Sequence, residues 1–273
     1  MLVDFFQIIA AEAVKQYRST IHSTRVLFSL LIWPVIEFFT IYYIYKPFLD
    51  QSYDTYLTKW VNQNSIFIFV LLGSLGYIVF YSFVNSSRRF SFERVMGTLE
   101  LIYMSPANRL AILIGNSIVS LIQSVFLFGT FACSYIIIFC KIDINNPILI
   151  FIAFLVLIIS SISWGIFLNA IFIFSRDTGI FYVIFQAPMQ LLSGVKVPYK
   201  AMPLWSQIIG AVFPLTWSLK IMRSILCENA DFRGIAFDLI IVGAISAIYV
   251  MLTMLLLRLG ENHMKKNGNM NLI

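Results

Sequence analysis

Six stretches of this 273-residue chain carry no charged side chain at all: 65–87, 110–140, 144–175, 178–195, 201–219 and 239–257. A seventh, 26–45, holds a single charge, Glu37. Backbone N–H and C=O groups inside a hydrocarbon layer find no water, so a run of about 20 apolar residues crosses it as an α-helix, which satisfies those groups internally. With 60% hydrophobic and 12% charged residues, against roughly 25% charged in a soluble domain, the chain reads as an all-α integral membrane protein. The net charge of +6 does not make it a nucleic-acid binder, because its basic residues scatter over the ends of apolar segments instead of forming a patch.

The densest charge lies between two of these windows, in the stretch 88–109, RRFSFERVMGTLELIYMSPANR. At 100° per residue Arg89, Glu93, Gly97 and Glu100 share one face, and Phe92, Met96, Leu99 and Tyr103 form an apolar stripe beside it. That pattern predicts a surface helix over 88–105 built to dock, with an ordinary solvated helix at the membrane edge as the plainer alternative. A residue before proline is pushed out of the α region, so the helix is expected to stop before Ser105-Pro106. Ser105 as N-cap and Pro106 at the first helical position then open the next helix.

Glu93, the run Gly97-Thr98-Leu99-Glu100 and the pair Ser105-Pro106 resemble the cytoplasmic loop of the ABC-2 family of transporter permeases. The resemblance extends over nearly the whole chain, and the run Leu192-Ser193-Gly194, Pro198, Met202-Pro203-Leu204-Trp205 and Pro214-Leu215-Thr216, followed by Arg223, again looks like that family's pattern between its fifth and sixth spans. What the resemblance implies is a permease subunit whose loop forms a coupling helix in a groove of a separate ATPase subunit, present in two copies. It implies a second, lesser contact at Arg176-Asp177 and another by the N-terminal helix. It also implies a second permease chain, identical or similar.

The remaining segments fit that plan. Residues 1–20 lack the basic start of a signal peptide; Leu2, Phe6, Ile9, Ala10, Ala13 and Tyr17 share a face opposite Asp4, Glu12, Lys15 and Arg18, predicting an amphipathic interfacial helix. Spans are expected at 25–48, 65–87, 106–138, 147–174, 177–195 and 236–258, within one membrane domain over 1–273. Glu37, three residues after Pro34, is a candidate for the translocation path, since an intramembrane carboxylate faces the protein interior or a wet cavity. The alternative is a carboxylic acid bonded to carbonyls freed by Pro34. Cys133, Cys140 and Cys227 show no metal or disulfide spacing.

The window 201–219 is uncharged but carries Pro203, Pro214, Gly210, Ser206, Gln207 and Thr216, which make it a poor continuous span. Six spans put both termini on one side with Lys15, Arg18, Arg25, Arg258, Lys265 and Lys266, whereas seven would separate them. Six is therefore expected, with 196–233 an extracellular region of two short re-entrant or interfacial helices broken at Phe213-Pro214 and marked by Gly194, Pro198, Pro203, Pro214 and Thr216. This orientation places 11 basic residues inside and 8 outside, or 11 against 3 once the long 194–233 segment is set aside. The expected location is the plasma membrane of a bacterial cell, with cytoplasmic termini.

No G-x-x-x-x-G-K-[ST], H-E-x-x-H or G-x-S-x-G occurs, and His22 and His263 stand near opposite ends. The chain is expected to need no cofactor or metal of its own, with ATP and Mg bound by the partner ATPase, and to have no catalytic residue. A secondary transporter ordinarily places several ionisable groups at the midplane in two related halves, and a membrane enzyme needs a polar catalytic cluster; neither pattern is present. The loop looks more like that of drug, antibiotic and peptide exporters, so export of an amphipathic compound is expected, with a cell-wall or surface polysaccharide as the alternative cargo.

Overall fold

In the computed structural model the described residues are 2–20, 28, 32, 36, 39, 40, 43, 66–95, 108–139, 147–174, 178–227 and 230–267. Among them every regular element is helical: α1 (Leu2–Thr20), α2 (Ile66–Val95), α3 (Arg109–Phe139), α4 (Pro147–Phe174), α5 (Thr178–Leu192), a single 3-10 turn (Tyr199–Ala201), α6 (Leu204–Val212), α7 (Pro214–Cys227) and α8 (Phe232–Asn267). By length and composition the windows Ile68–Asn85, Ile148–Ile171 and Phe232–Leu259 can each cross a membrane, and α6 with α7, bent by 98°, makes a fourth candidate.

The element ends follow local chemistry. Pro147 opens α4, where its missing N–H is harmless. The second window and the charged stretch are not separate helices as far as Val95: α2 runs unbroken over 30 residues, about 45 Å at 1.5 Å per residue. No proline or glycine interrupts 77–95. The next helix starts at Arg109 rather than at Pro106, with non-helical Asn108 in the N-cap position and its carbonyl accepting from the Ile112 N–H at 3.2 Å. Helix α5 stops at Leu192, short of 195, because Gly194 takes a positive φ of 77° that few side chains tolerate. Helix α8 overruns 236–258 at both ends, since helical hydrogen bonding continues past the apolar window into polar sequence.

The core forms where α4 packs against α2, α7 and α8. Trp164, 2% exposed, is its centre: its ring meets Phe185, Phe213 and Tyr249 edge-on at centroid distances of 6.1, 5.6 and 5.0 Å. Around it lie Phe80, Phe83, Leu157, Leu168, Leu215 and Leu219, all buried. Outward, Ile148, Phe151, Leu155 and Ile159 on α4 repeat at helical spacing and are exposed, a face for lipid rather than water.

Helix α1 packs on α3 through its polar side: Glu12 and Gln16 are the buried residues, while Phe6 (66%), Val14 (51%) and Tyr17 (45%) are exposed. Gly115 explains the approach, because a Cβ there would lie 2.9 Å from the Ile9 carbonyl and 2.8 Å from Glu12 Cβ. The buried carboxylate accepts from Gln16 Nε2 at 2.9 Å and pairs with Lys15 at 3.5 Å, which offsets its desolvation. The apolar stripe is thus turned away from the bundle.

Candidate functional site

A hub of the fold is built around the break between α6 and α7. Pro214 carries no N–H, so the Gly210 carbonyl four residues earlier loses its helical donor, and the last carbonyls of α6 are left over in any case. Each is answered by a side chain. Thr216 Oγ1 donates to Gly210 O at 2.6 Å, Trp217 Nε1 to Ala211 O at 3.0 Å, and Tyr249 OH, from α8, to Val212 O at 3.0 Å. The Phe213 N–H also reaches Gly210 O, and the Phe213 carbonyl accepts from the Thr216 N–H at 3.2 Å. An unmatched carbonyl in an apolar setting costs about 1–3 kcal/mol, so this break is stable because polar side chains stand beside it.

The approach to α6 follows the same rule. After Gly194 the chain turns through Pro198 into the 3-10 turn, where Ala201 N donates to Pro198 O at 2.9 Å. Pro203 holds the N-cap position of α6, and its carbonyl accepts from the Ser206 N–H and hydroxyl at 3.0 and 2.9 Å. Gln207 Nε2 donates to Met202 O at 2.7 Å, and Tyr199 OH donates to Gln207 O. Burial raises the Tyr199 phenol above its ordinary value, which keeps the proton it donates. Gly210 lets α6 touch the end of α5: a Cβ there would stand 2.4 Å from Leu192 O.

Three anchors tie the hub to the rest of the bundle. Ser218 and Ser160 share a hydrogen bond of 2.7 Å between α7 and α4. Lys220 Nζ pairs with the buried Asp238 of α8 at 2.7 Å. Arg223 reaches backbone on two other elements: Nη1 donates to Gly194 O at 2.7 Å, and Nη2 to both Val195 O and Phe69 O at 3.1 Å. Its guanidinium carbon stands 3.5 Å over the Phe69 ring, a cation–π placement. Gly73 on α2 makes room, since a Cβ there would lie 2.0 Å from Val195 O and 2.6 Å from Arg223 Nη2.

Of the sequence-derived site residues, Gly194, Pro198, Pro203, Pro214 and Thr216 are therefore gathered in one structural unit. Arg89, Phe92 and Glu93 lie on the helical backbone of α2's last turns. Met96, Gly97, Thr98, Leu99, Glu100, Tyr103, Ser105, Pro106, Arg176, Asp177 and Glu37 lie outside the described residues. Sequence reasoning passed over Gly73, Tyr249 and Asp238 and gave Arg223 no role. A signal existed for two of them: Gly73 and Gly76 are small residues three apart in an apolar window, and Arg223 is a lone cation between Ile221-Met222 and Ile225-Leu226. Among the described residues no group of three or more His, Cys, Asp or Glu is placed to hold a metal, and most of the hub's polar side chains serve backbone carbonyls and helix contacts, while Ser193 Oγ and Arg223 Nε are buried without a hydrogen-bond partner. The arrangement positions helices.

Comparison with curated proteins found no match. The family model described as ABC-2 type transporter matches residues 4–227, a range that runs from α1 through α7 and takes in the break between α6 and α7. The chain belongs to the ABC-2 type transporter family, as its membrane-embedded permease component.

Proposed function

We propose that this permease subunit works in an ATP-driven exporter, with two copies of a separate ATPase subunit, which bind the ATP and Mg, and a second permease chain, identical or similar, completing the pathway. The stretch 88–105 is the coupling element, supported by Arg176-Asp177 and α1. The chain crosses the plasma membrane six times with both termini cytoplasmic, and 196–233 lies on the outer side. Two short helices meeting at 98°, of 9 and 14 residues, are each too short for a ~30 Å layer, which supports a re-entrant pair over a seventh span. The cargo is an amphipathic compound, and Glu37 lines its path.

The observation that carries this reading is the continuity of α2. One unbroken helix runs from Phe69, where it meets the hub, past the apolar window ending at Asn85, to Val95. A push on the charged end is therefore delivered along a single rigid rod. The stripe Phe92, Met96, Leu99 and Tyr103 supplies affinity for the ATPase, at about 1–3 kcal/mol for each side chain buried. Glu93 and Glu100 set its register, since exposed ion pairs contribute at most ~1 kcal/mol. The test is co-purification of the ATPase with Phe92→Ala/Leu99→Ala, which is expected to lose it, and with Glu93→Gln/Glu100→Gln, expected to retain it. Full retention by the first variant removes the coupling role from this stretch.

A further inference from the structure

We infer that Arg223 is the positioning residue that latches the hub to α2, so that α2 and the α6–α7 pair move as one body. The inference rests on the permease reading for the source of that movement, but the latch itself is a matter of local geometry. Arginine is a planar fork that can gather several acceptors at once, which an ammonium on a single stem does less well. Here the fork collects three carbonyls from two separate segments: Gly194 and Val195 of the turn after α5, and Phe69 of α2. The side chain itself comes from α7. One guanidinium thus joins three elements that are otherwise far apart in sequence.

Two further observations place the contact at the close point of the fold. Phe69 lends its ring as well as its carbonyl, with the guanidinium 3.5 Å above it. Gly73, one turn further along α2, is stripped of any side chain where Val195 O comes within 2.0 Å of a would-be Cβ, and this turn contains Gly194 with its positive φ. Among the described residues the guanidinium's hydrogen-bond partners are these three carbonyls, with the Phe69 ring beside them. Across the other side of the hub, Lys220–Asp238 and Ser160–Ser218 fix α7 to α8 and α4; Arg223 is the polar link from α7 to α2.

The experiment uses the full chain with its native cysteines replaced, carrying nitroxide labels at Tyr81 on α2 and Leu204 on α6, both exposed, and reconstituted with its ATPase. Electron-spin distance measurements on the native hub are expected to give one narrow distribution, the same without nucleotide and with the ATPase trapped by vanadate. In Arg223→Met the distribution broadens at least twofold and becomes dependent on nucleotide, while ATP hydrolysis stays within twofold of native. Arg223→Lys restores at most part of the narrowing. Phe69→Leu, which removes the ring and leaves every carbonyl matched, gives a smaller broadening and keeps the test open should Arg223→Met not fold. A narrow, nucleotide-independent distribution in both Arg223→Met and Phe69→Leu overturns the latch. Failure of the unmutated chain to recruit an ATPase overturns the permease reading, and the width of the distribution still decides the latch.

Discussion

Helix α4 and the bent pair α6–α7 hold the same kinds of polar residue in the same apolar surroundings and use them in opposite ways. In α4, Ser161 and Ser163 are buried and return their hydroxyls to carbonyls of their own helix, Ile158 and Ser160, at 2.8 Å. Those carbonyls already serve the helix, and these two serines only avoid being left unmatched. At the bent pair Thr216 and Trp217, with Tyr249 from α8, reach carbonyls whose helical donors are gone. A straight helix closes its own hydrogen bonds, whereas a break in apolar surroundings must recruit donors from beyond the break. Ser161 and Ser163 are thus disposable in α4, whereas Thr216, Trp217 and Tyr249 are required at the break.

The strongest challenge to that contrast is Gly210→Ala. The added methyl would stand 2.4 Å from Leu192 O and 3.1 Å from Tyr199 Cε2, so α6 has to separate from the end of α5. Overpacking of this kind costs about 1–3 kcal/mol, and with backbone as the obstacle the upper end is expected. Thermal unfolding in detergent, followed by size-exclusion of the fluorescently tagged chain, should show the largest fall of the variants considered. An unchanged midpoint would mean that the hub is loosely held.

Next in size is the pair Thr216→Val and Ser161→Ala, which compares the two regions directly. Thr216→Val keeps shape and removes the donor to Gly210 O, with an expected loss of about 1–2 kcal/mol. Ser161→Ala removes a hydroxyl whose partner carbonyl keeps its helical bond, and should stay within ~0.5 kcal/mol of native. Equal effects on the same unfolding assay would erase the distinction.

Much of this was legible in the chain, and the reason is physical. Charge-free windows of about 20 residues point to helices because a helix satisfies its own backbone in hydrocarbon, and Pro147 stands at the first residue of α4. The break at Phe213-Pro214 follows from a missing N–H. Periodicity finds the faces of α1 but not its neighbours, so nothing in the sequence told that Gly115 would admit the Glu12–Gln16 side and turn Phe6 outward. The Arg223–Phe69 contact joins residues 154 apart, beyond any local pattern. Of the charged stretch 88–105, the described backbone shows only that its first part continues α2 to Val95.

The smallest expected effect has the opposite sign. Gly243 lies on the exposed side of α8, where an added Cβ meets nothing within 4 Å. Glycine inside a helix is less stable than alanine by about 0.5–1 kcal/mol, because the unfolded chain has more freedom to lose. Gly243→Ala should therefore raise the unfolding midpoint slightly, in contrast to Gly210→Ala, where the same methyl collides with backbone. Gly243 and Ala247 also form a small-x-x-x-small pair, the spacing at which membrane helices approach each other closely. If that face is covered by a second permease chain, the substitution will instead weaken the dimer, and light scattering after size-exclusion will show monomer increasing as the midpoint drops. A higher midpoint with unchanged mass assigns the face to lipid and leaves the pairing surface to another part of the chain, such as α6 with Leu204, Trp205 and Ile208 exposed.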